Sequence, residues 1–218
     1  RSYNIQLRSI SCGLMGQNSL SSPDPEVRRR GIELVKKQIE IANLLGMDTA
    51  LLVPAFVNDV ETAYDEAYRR SQEALHELAS TAERNKVHIG IENVWNKFLY
   101  SPLEMARYID EINSPYVGAY FDVGNVVNFG FPEQWIRILG HRIRKVHVKD
   151  FRRSVGTAYG VVTLLSGDVN WIEVRQALQE IGYKDTLTAE LSPYASAPFQ
   201  LVYHTARHLD VIINGGGK

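Results

Sequence analysis

Short apolar runs alternate six times with longer amphipathic stretches, and this alternation limits the fold more than any other feature of the chain. The runs occupy residues 5–11, 49–53, 87–92, 117–122, 143–148 and 186–191. Each has about the length of a strand and is rich in β-branched, aromatic or leucine residues. Most are apolar throughout, the pattern of strands covered on both faces of a parallel sheet. The intervening segments read as helices. Asp24-Pro25-Glu26 supplies an N-cap, a first-turn proline and an acidic first turn. Val27, Leu34, Val35, Ile39, Ala42 and Leu45 then form one apolar stripe, and Gly46 closes it. Ser101-Pro102-Leu103-Glu104 reads as a capping box. Further helices are expected at 61–84, 132–139, 170–181 and 198–213. Strict strand–helix alternation predicts an α/β protein with a parallel sheet, either open and doubly wound or closed as a barrel. A dinucleotide-binding sheet would carry a G-x-G-x-x-G turn after an early strand, and the Ser11-Cys12-Gly13-Leu14-Met15-Gly16 segment does not provide one.

Composition narrows the function classes. With 24 Lys+Arg against 25 Asp+Glu in 218 residues, the net charge is −1, and 44% of residues are hydrophobic. That balance excludes a mainly disordered chain and argues against a dedicated nucleic-acid binder. The single Cys12 excludes an internal disulfide framework and fits a reducing, cytoplasmic compartment. No apolar run approaches the roughly 18 residues of a membrane span. One domain is expected over 1–213, with 214–218 as a flexible tail.

The strand ends carry the chemistry. Glu92 closes the third run and Asp122 the fourth, while His147 lies near the end of the fifth and Glu190 near the end of the sixth. The spacings are 30, 25 and 43 residues, on the scale of strand–helix units. In a parallel barrel the C-terminal strand ends meet on one face, where active sites are built. Three carboxylates converging there would repel one another, and a divalent cation relieves that repulsion. Three carboxylates with one imidazole suit Mn²⁺, Co²⁺, Mg²⁺, Fe²⁺ or Zn²⁺ with positions open for substrate oxygens. Each residue alone also has an ordinary structural reading, such as an Asx turn at Asp122. The set of four on consecutive strand ends is the signal.

Nearby residues are candidate substrate contacts. Lys149 and Arg153 follow the His147 strand and offer cations for a sugar hydroxyl or phosphate. Trp95 and Asn96 follow Glu92 and offer an aromatic face and an amide. The glycine-bearing segment 156–168 is a candidate lid. His204 and His208 form H-x-x-x-H without the following Glu of a zinc protease, and read as a solvated helix face.

The stretches Glu92-Asn93-Val94-Trp95-Asn96-Lys97-Phe98, Phe121-Asp122-Val123-Gly124-Asn125, His147-Val148-Lys149-Asp150, Gly167-Asp168-Val169-Asn170-Trp171 and Thr188-Ala189-Glu190-Leu191 resemble the xylose-isomerase-like sugar phosphate isomerase/epimerase family. Within it the chain is most similar to the L-ribulose-5-phosphate/L-xylulose-5-phosphate 3-epimerase and D-tagatose 3-epimerase branch. The resemblance implies a TIM (β/α)8 barrel with one divalent metal, Mn²⁺ or Co²⁺ favoured, held by Glu92, Asp122, His147 and Glu190. It implies that Glu92 and Glu190 double as acid/base groups, moving a proton through a metal-stabilised ene-diolate. Two positions depart from some ketose 3-epimerases: Asn125 stands where they carry His, and Phe98 where they carry Glu. Asn125 is accordingly a candidate substrate contact, as is the retained Arg153. The implied partner is a sugar or sugar phosphate handled by a homodimer or homotetramer, with neither nucleic acid nor membrane involved. Aldose–ketose isomerisation, including the hydroxypyruvate isomerase type, is the alternative on the same scaffold. An endonuclease IV-like nuclease or a non-catalytic barrel fits less well. Six visible units against the eight of a complete barrel lead to the expectation that one or two N-terminal β/α units lie outside this sequence.

Overall fold

The structure is a computed structural model that describes residues 4–58 and 60–215. It divides into two compact units, residues 1–120 and 121–218.

The first unit begins with strand β1 (Ser9–Ile10), helix α1 (Pro25–Leu44) and strand β2 (Thr49–Leu52). Helix α2 (Tyr64–Asn85), strand β3 (His88–Glu92) and helix α3 (Pro102–Glu111) follow. Strand β4 (Val117–Asp122) then runs across the boundary between the units. The strands lie parallel in the order β1-β2-β3-β4, with Ser9 opposite Thr49, Ala50 opposite Ile89 and Glu92 opposite Tyr120. β2 and β4 are buried at every residue, as both faces of a parallel sheet require.

Helix α1 starts as its sequence dictates, with the Asp24 carboxylate accepting from Glu26 N at 2.8 Å. Its apolar stripe buries Val35, Ile39 and Ala42. Gln38 ties it to the sheet, donating from Nε2 to Ile10 O and Leu51 O, both at 3.0 Å. Two expectations for this unit are corrected. Strand β1 covers two residues of the 5–11 run, because Ser9 already faces the first residue of β2 and only the Asp48 N to Arg8 O bond precedes that pairing among the described residues. The capping box at Ser101 does not close: Ser101 makes no side-chain cap, and Glu104 instead accepts from the Tyr64 hydroxyl at 2.6 Å.

In the second unit, β4 passes directly into the one-turn helix α4 (Val123–Val126), followed by α5 (Pro132–Leu139) and β5 (Ile143–Val148). A two-stranded antiparallel ribbon follows, β6 (Asp150–Phe151) with β7 (Val161–Val162). Helix α6 (Trp171–Glu180), strand β8 (Leu187–Ala189) and helix α7 (Gln200–Asn214) complete it. The order is β4-β5-β8, with β5 and β8 parallel and His147 opposite Thr188. Phe121 and Trp135 stack with ring centroids 6.2 Å apart, fastening α5 to β4. The Asn170 side chain caps α6 by accepting from Glu173 N at 3.2 Å. The expected lid at 156–168 is in part the β7 arm of the ribbon, because Arg152 N donates to Gly160 O and Asp150 pairs with Val162. The tail expected at 214–218 begins inside α7 at Asn214, and its residues 216–218 lie outside the described residues. Among the described residues no helix is long and apolar enough to cross a membrane.

Candidate metal centre

Side chains alternate across a strand, so Lys145, His147 and Lys149 fall on one face of β5 and its extension. Asp122, the last residue of β4, is fully buried. Its Oδ1 accepts from Asn125 N at 2.7 Å, making Asp122 the N-cap of α4. That bond fixes the carboxylate and leaves Oδ2 turned toward β5. Glu190 directly follows β8, and its backbone N donates to Val148 O at 3.1 Å, carrying the parallel ladder one residue further.

His147 Nδ1 lies 3.9 Å from Asp122 Oδ2 and 3.9 Å from Glu190 Oε2. Both separations are too long for a hydrogen bond. They fit donors that share one ion: at metal–ligand distances of about 2.1 Å, neighbouring ligands stand roughly 3–4 Å apart. Asp122, His147 and Glu190 each offer a donor atom within 4.8 Å of the others. Two carboxylates and an imidazole are a donor set that a divalent transition ion accepts.

Lys149 reaches the same oxygens. Its Nζ stands 3.1 Å from Asp122 Oδ2 and forms a short ion pair with Glu190 Oε2. Burial acts to raise the Glu190 pKa, but the Lys149 hydrogen bond and charge, with the charge of His147, outweigh it and hold that carboxyl below its ordinary value. For Lys149, burial acts to lower the pKa, and the Asp122 and Glu190 charges overcome it, so the ammonium is held above its ordinary value.

The other sequence candidates fall as follows. Glu92 ends β3, buried at 6% exposure and in register with Tyr120, two residues before Asp122 on the next strand. Asn125 is buried beside Asp122 and donates its backbone N–H to that carboxylate. Trp95 is half-buried. The Asn96 amide is engaged at both ends by backbone, donating to Ala55 O at 2.7 Å and accepting from Phe98 N at 3.2 Å. Arg153 reaches the segment between α4 and α5, with Nε donating to Val127 O at 3.0 Å and the guanidinium 5.3 Å from the Phe131 ring centre. Phe98, at the position where some ketose epimerases carry Glu, is core: its ring packs against Tyr64, Tyr68 and Tyr108.

Two residues gain roles that the sequence did not reveal. Asp150 is fully buried and accepts from Phe151 N, Val169 N and Trp171 Nε1. Gly124 makes room for Lys149: a β-carbon there would stand 2.3 Å from Lys149 Cγ and 2.6 Å from Lys149 O. The only sequence signal for the second was a glycine inside the Asp122–Asn125 motif.

The chain is similar to known proteins along most of its length. It is 29% identical over 166 residues to the L-ribulose-5-phosphate 3-epimerase UlaE of Escherichia coli, covering 75% of this chain and 57% of that protein. Among solved structures, a D-tagatose 3-epimerase-like protein superposes with a TM-score of 0.81 at 22% identity, covering 99% of this chain and 81% of that one. The IolI protein, crystallised with a bound zinc atom, superposes with a TM-score of 0.82 at 18% identity, covering 98% and 78%. These two structural likenesses establish the fold. The chain spans less than two thirds of the length of the curated relatives it matches. The family model described as xylose isomerase-like TIM barrel matches residues 1–210, and the chain belongs to that family.

Proposed function

We propose that this chain carries the centre of a divalent-metal-dependent sugar or sugar-phosphate epimerase of the ketose 3-epimerase type. The observation that carries the reading is the arrangement of His147, Asp122 and Glu190, whose 3.9 Å separations suit ligands of a common ion. The name of the Escherichia coli relative, a sugar-phosphate 3-epimerase, supports the substrate class. Asp122, His147 and Glu190 would hold the ion, with Glu92 as the fourth ligand from the end of β3. Mn²⁺ or Co²⁺ is the favoured ion, and Mg²⁺, Zn²⁺ or Fe²⁺ suits the same donors. When bound, such an ion supplies a Lewis acid that polarises the oxygens of a ketose.

The protein's own groups then divide the work. Asp122 is fully buried and capped by Asn125 N, so it acts as a fixed ligand. Glu190 is half exposed and its pKa is held down, so at neutral pH it is an ionised base able to take the proton from the carbon beside the carbonyl. Glu92 is the second acid/base group, returning a proton on the opposite side. Trp95, Asn125, Lys149 and Arg153 are proposed to surround the sugar. The protein is proposed to work as a cytoplasmic homo-oligomer on small sugars or their phosphates.

The test is solvent exchange. The Mn²⁺-loaded chain is incubated in D₂O with a panel of ketoses and their 5-phosphates, and deuterium is located by NMR. Label at C3 supports epimerisation, and label at C1 or C2 redirects the reading to aldose–ketose isomerisation. Folded, metal-loaded protein that exchanges none of them removes the proposal. Glu190→Gln is expected to keep the fold and lose most of the exchange.

A further inference from the structure

The position of Lys149 calls for an explanation beyond substrate contact. Its ammonium stands 3.1 Å from Asp122 Oδ2 and pairs with Glu190 Oε2, the same two oxygens that lie 3.9 Å from His147 Nδ1. A side chain waiting for substrate would be left in water, because an ammonium is strongly hydrated and its stem flexible. This one is only 12% exposed. The backbone is shaped to put it there, since any residue larger than glycine at position 124 would collide with both the Lys149 stem and its carbonyl. Two independent features, the paired oxygens and the space left at Gly124, aim this cation into the centre.

We infer that Lys149 is the built-in counter-ion of this centre, competing with the divalent ion for Asp122 Oδ2 and Glu190 Oε2. The inference rests on the metal reading given above. Two carboxylates brought together without a cation repel each other and pay a desolvation cost, and the ammonium offsets both. Entry of a divalent ion must break the Lys149 pairs, because a second cation a few ångströms away is strongly repelled in a poorly solvated site. Lys149 therefore lowers the affinity for the ion and stabilises the ion-free protein. Once displaced, the ammonium is free beside the centre, where it can meet an anionic group.

The test is calorimetric titration of the full chain with Mn²⁺, comparing wild type with Lys149→Met and using Asp122→Asn as the ligand-loss control. Lys149→Met is expected to bind Mn²⁺ about tenfold tighter or more, since it removes a unit charge next to the ion. Its ion-free form should melt at a lower temperature than wild type, and Mn²⁺ should raise its melting point further than it raises that of wild type. Equal or weaker binding by folded Lys149→Met overturns the inference and leaves the metal reading intact. Absence of Mn²⁺ binding by wild type overturns both. A second measurement needs no variant: reductive methylation of wild type, read by peptide mass spectrometry, should modify Lys149 several-fold more with saturating Mn²⁺ than without it. Unchanged labelling overturns the inference.

Discussion

Gly90 lies beneath the side chain of Tyr120: a β-carbon at Gly90 would stand 2.9 Å from Tyr120 Cβ and 3.1 Å from Cδ2 of its ring. The tyrosine lies across this space and brings its hydroxyl 3.0 Å from Ser9 Oγ, linking β4 to β1. Tyr120 is almost fully buried, and its backbone is in register with Glu92. Gly90→Ala is therefore expected to cost about 1–3 kcal/mol through overpacking. Tyr120→Phe, which removes only the hydroxyl bond, is expected to cost about 1 kcal/mol. Urea denaturation of both variants checks the order, and a Gly90→Ala protein as stable as wild type would contradict it.

The buried pair of Lys145 and Asp185 gives a second prediction. Lys145 is 1% exposed, and its Nζ lies 2.5 Å from Asp185 Oδ2. Removing the carboxylate takes a close ion-pair partner from a buried ammonium, so Asp185→Ala is expected to lose roughly 1–3 kcal/mol. Lys145→Met, which replaces the ammonium with an apolar group of similar length, is expected to cost far less. Denaturant midpoints for the two variants should differ in that direction, and equal losses would show that the charge left behind is not the cause.

Asp150 ties down the segment that enters α6. One carboxylate accepts from Phe151 N at 2.9 Å, Val169 N at 3.1 Å and Trp171 Nε1 at 3.0 Å. Gly167 lies against the same side chain, where a β-carbon would come within 2.2 Å of Oδ1. Asp150→Ala is expected to orphan buried donors and cost about 3 kcal/mol or more. Hydrogen exchange should show the loss of protection concentrated at Val169 and the neighbouring segment 163–170. Protection lost evenly over the whole chain would point to a different role for Asp150.

Tyrosine ionisation gives a pH prediction. Burial, and hydrogen bonds donated to Glu104 and Glu111 respectively, push Tyr64 and Tyr68 up to about 12 from an ordinary value of 10.0. Because the folded values are raised, the folded state holds these protons more tightly than the unfolded chain. Their stabilising contribution is complete below pH 10 and is lost between about pH 10 and 12. Absorbance at the tyrosinate band should show these two tyrosines titrating late, with the more deeply buried Tyr108 later still. The double substitution of both tyrosines by Phe should flatten the alkaline fall in stability. An equally steep fall in that variant would exclude these two groups as its cause.

How much of this was legible in the sequence follows from burial. The runs 117–122 and 143–148 match their strands residue for residue, because they are buried almost throughout and nothing but a central strand accommodates them. The 5–11 run shrank to Ser9–Ile10 because a strand needs a partner, and pairing is a property of the neighbour that an isolated segment does not carry. The same holds for the box at Ser101, where Tyr64, distant in sequence, takes the glutamate. Asp122, His147 and Glu190 were legible as site candidates because a charged residue ending an apolar strand is conspicuous. The backbone bonds of Asn96 to Ala55 O and of Arg153 to Val127 O were not legible, since no spacing in the sequence reveals which distant carbonyl a side chain meets. Gly124 was the least legible, since what it makes room for lies 25 residues away, just past the end of β5.

The direct passage of β4 into α4 gives one carboxylate two masters. Asp122 Oδ1 closes the first turn through Asn125 N, and Oδ2 belongs to the centre. Any pull on Oδ2 is transmitted through the carboxyl carbon to Oδ1 and across the hydrogen bond to that amide proton. The Asn125 N–H is thus a natural reporter of occupancy, whose chemical shift should register what sits among His147, Glu190 and Asp122 without any label placed in the centre itself. For the same reason Asp122 cannot be optimised for helix initiation and for ligand geometry independently, and natural variation at this position should be confined to groups that perform both tasks with separate atoms.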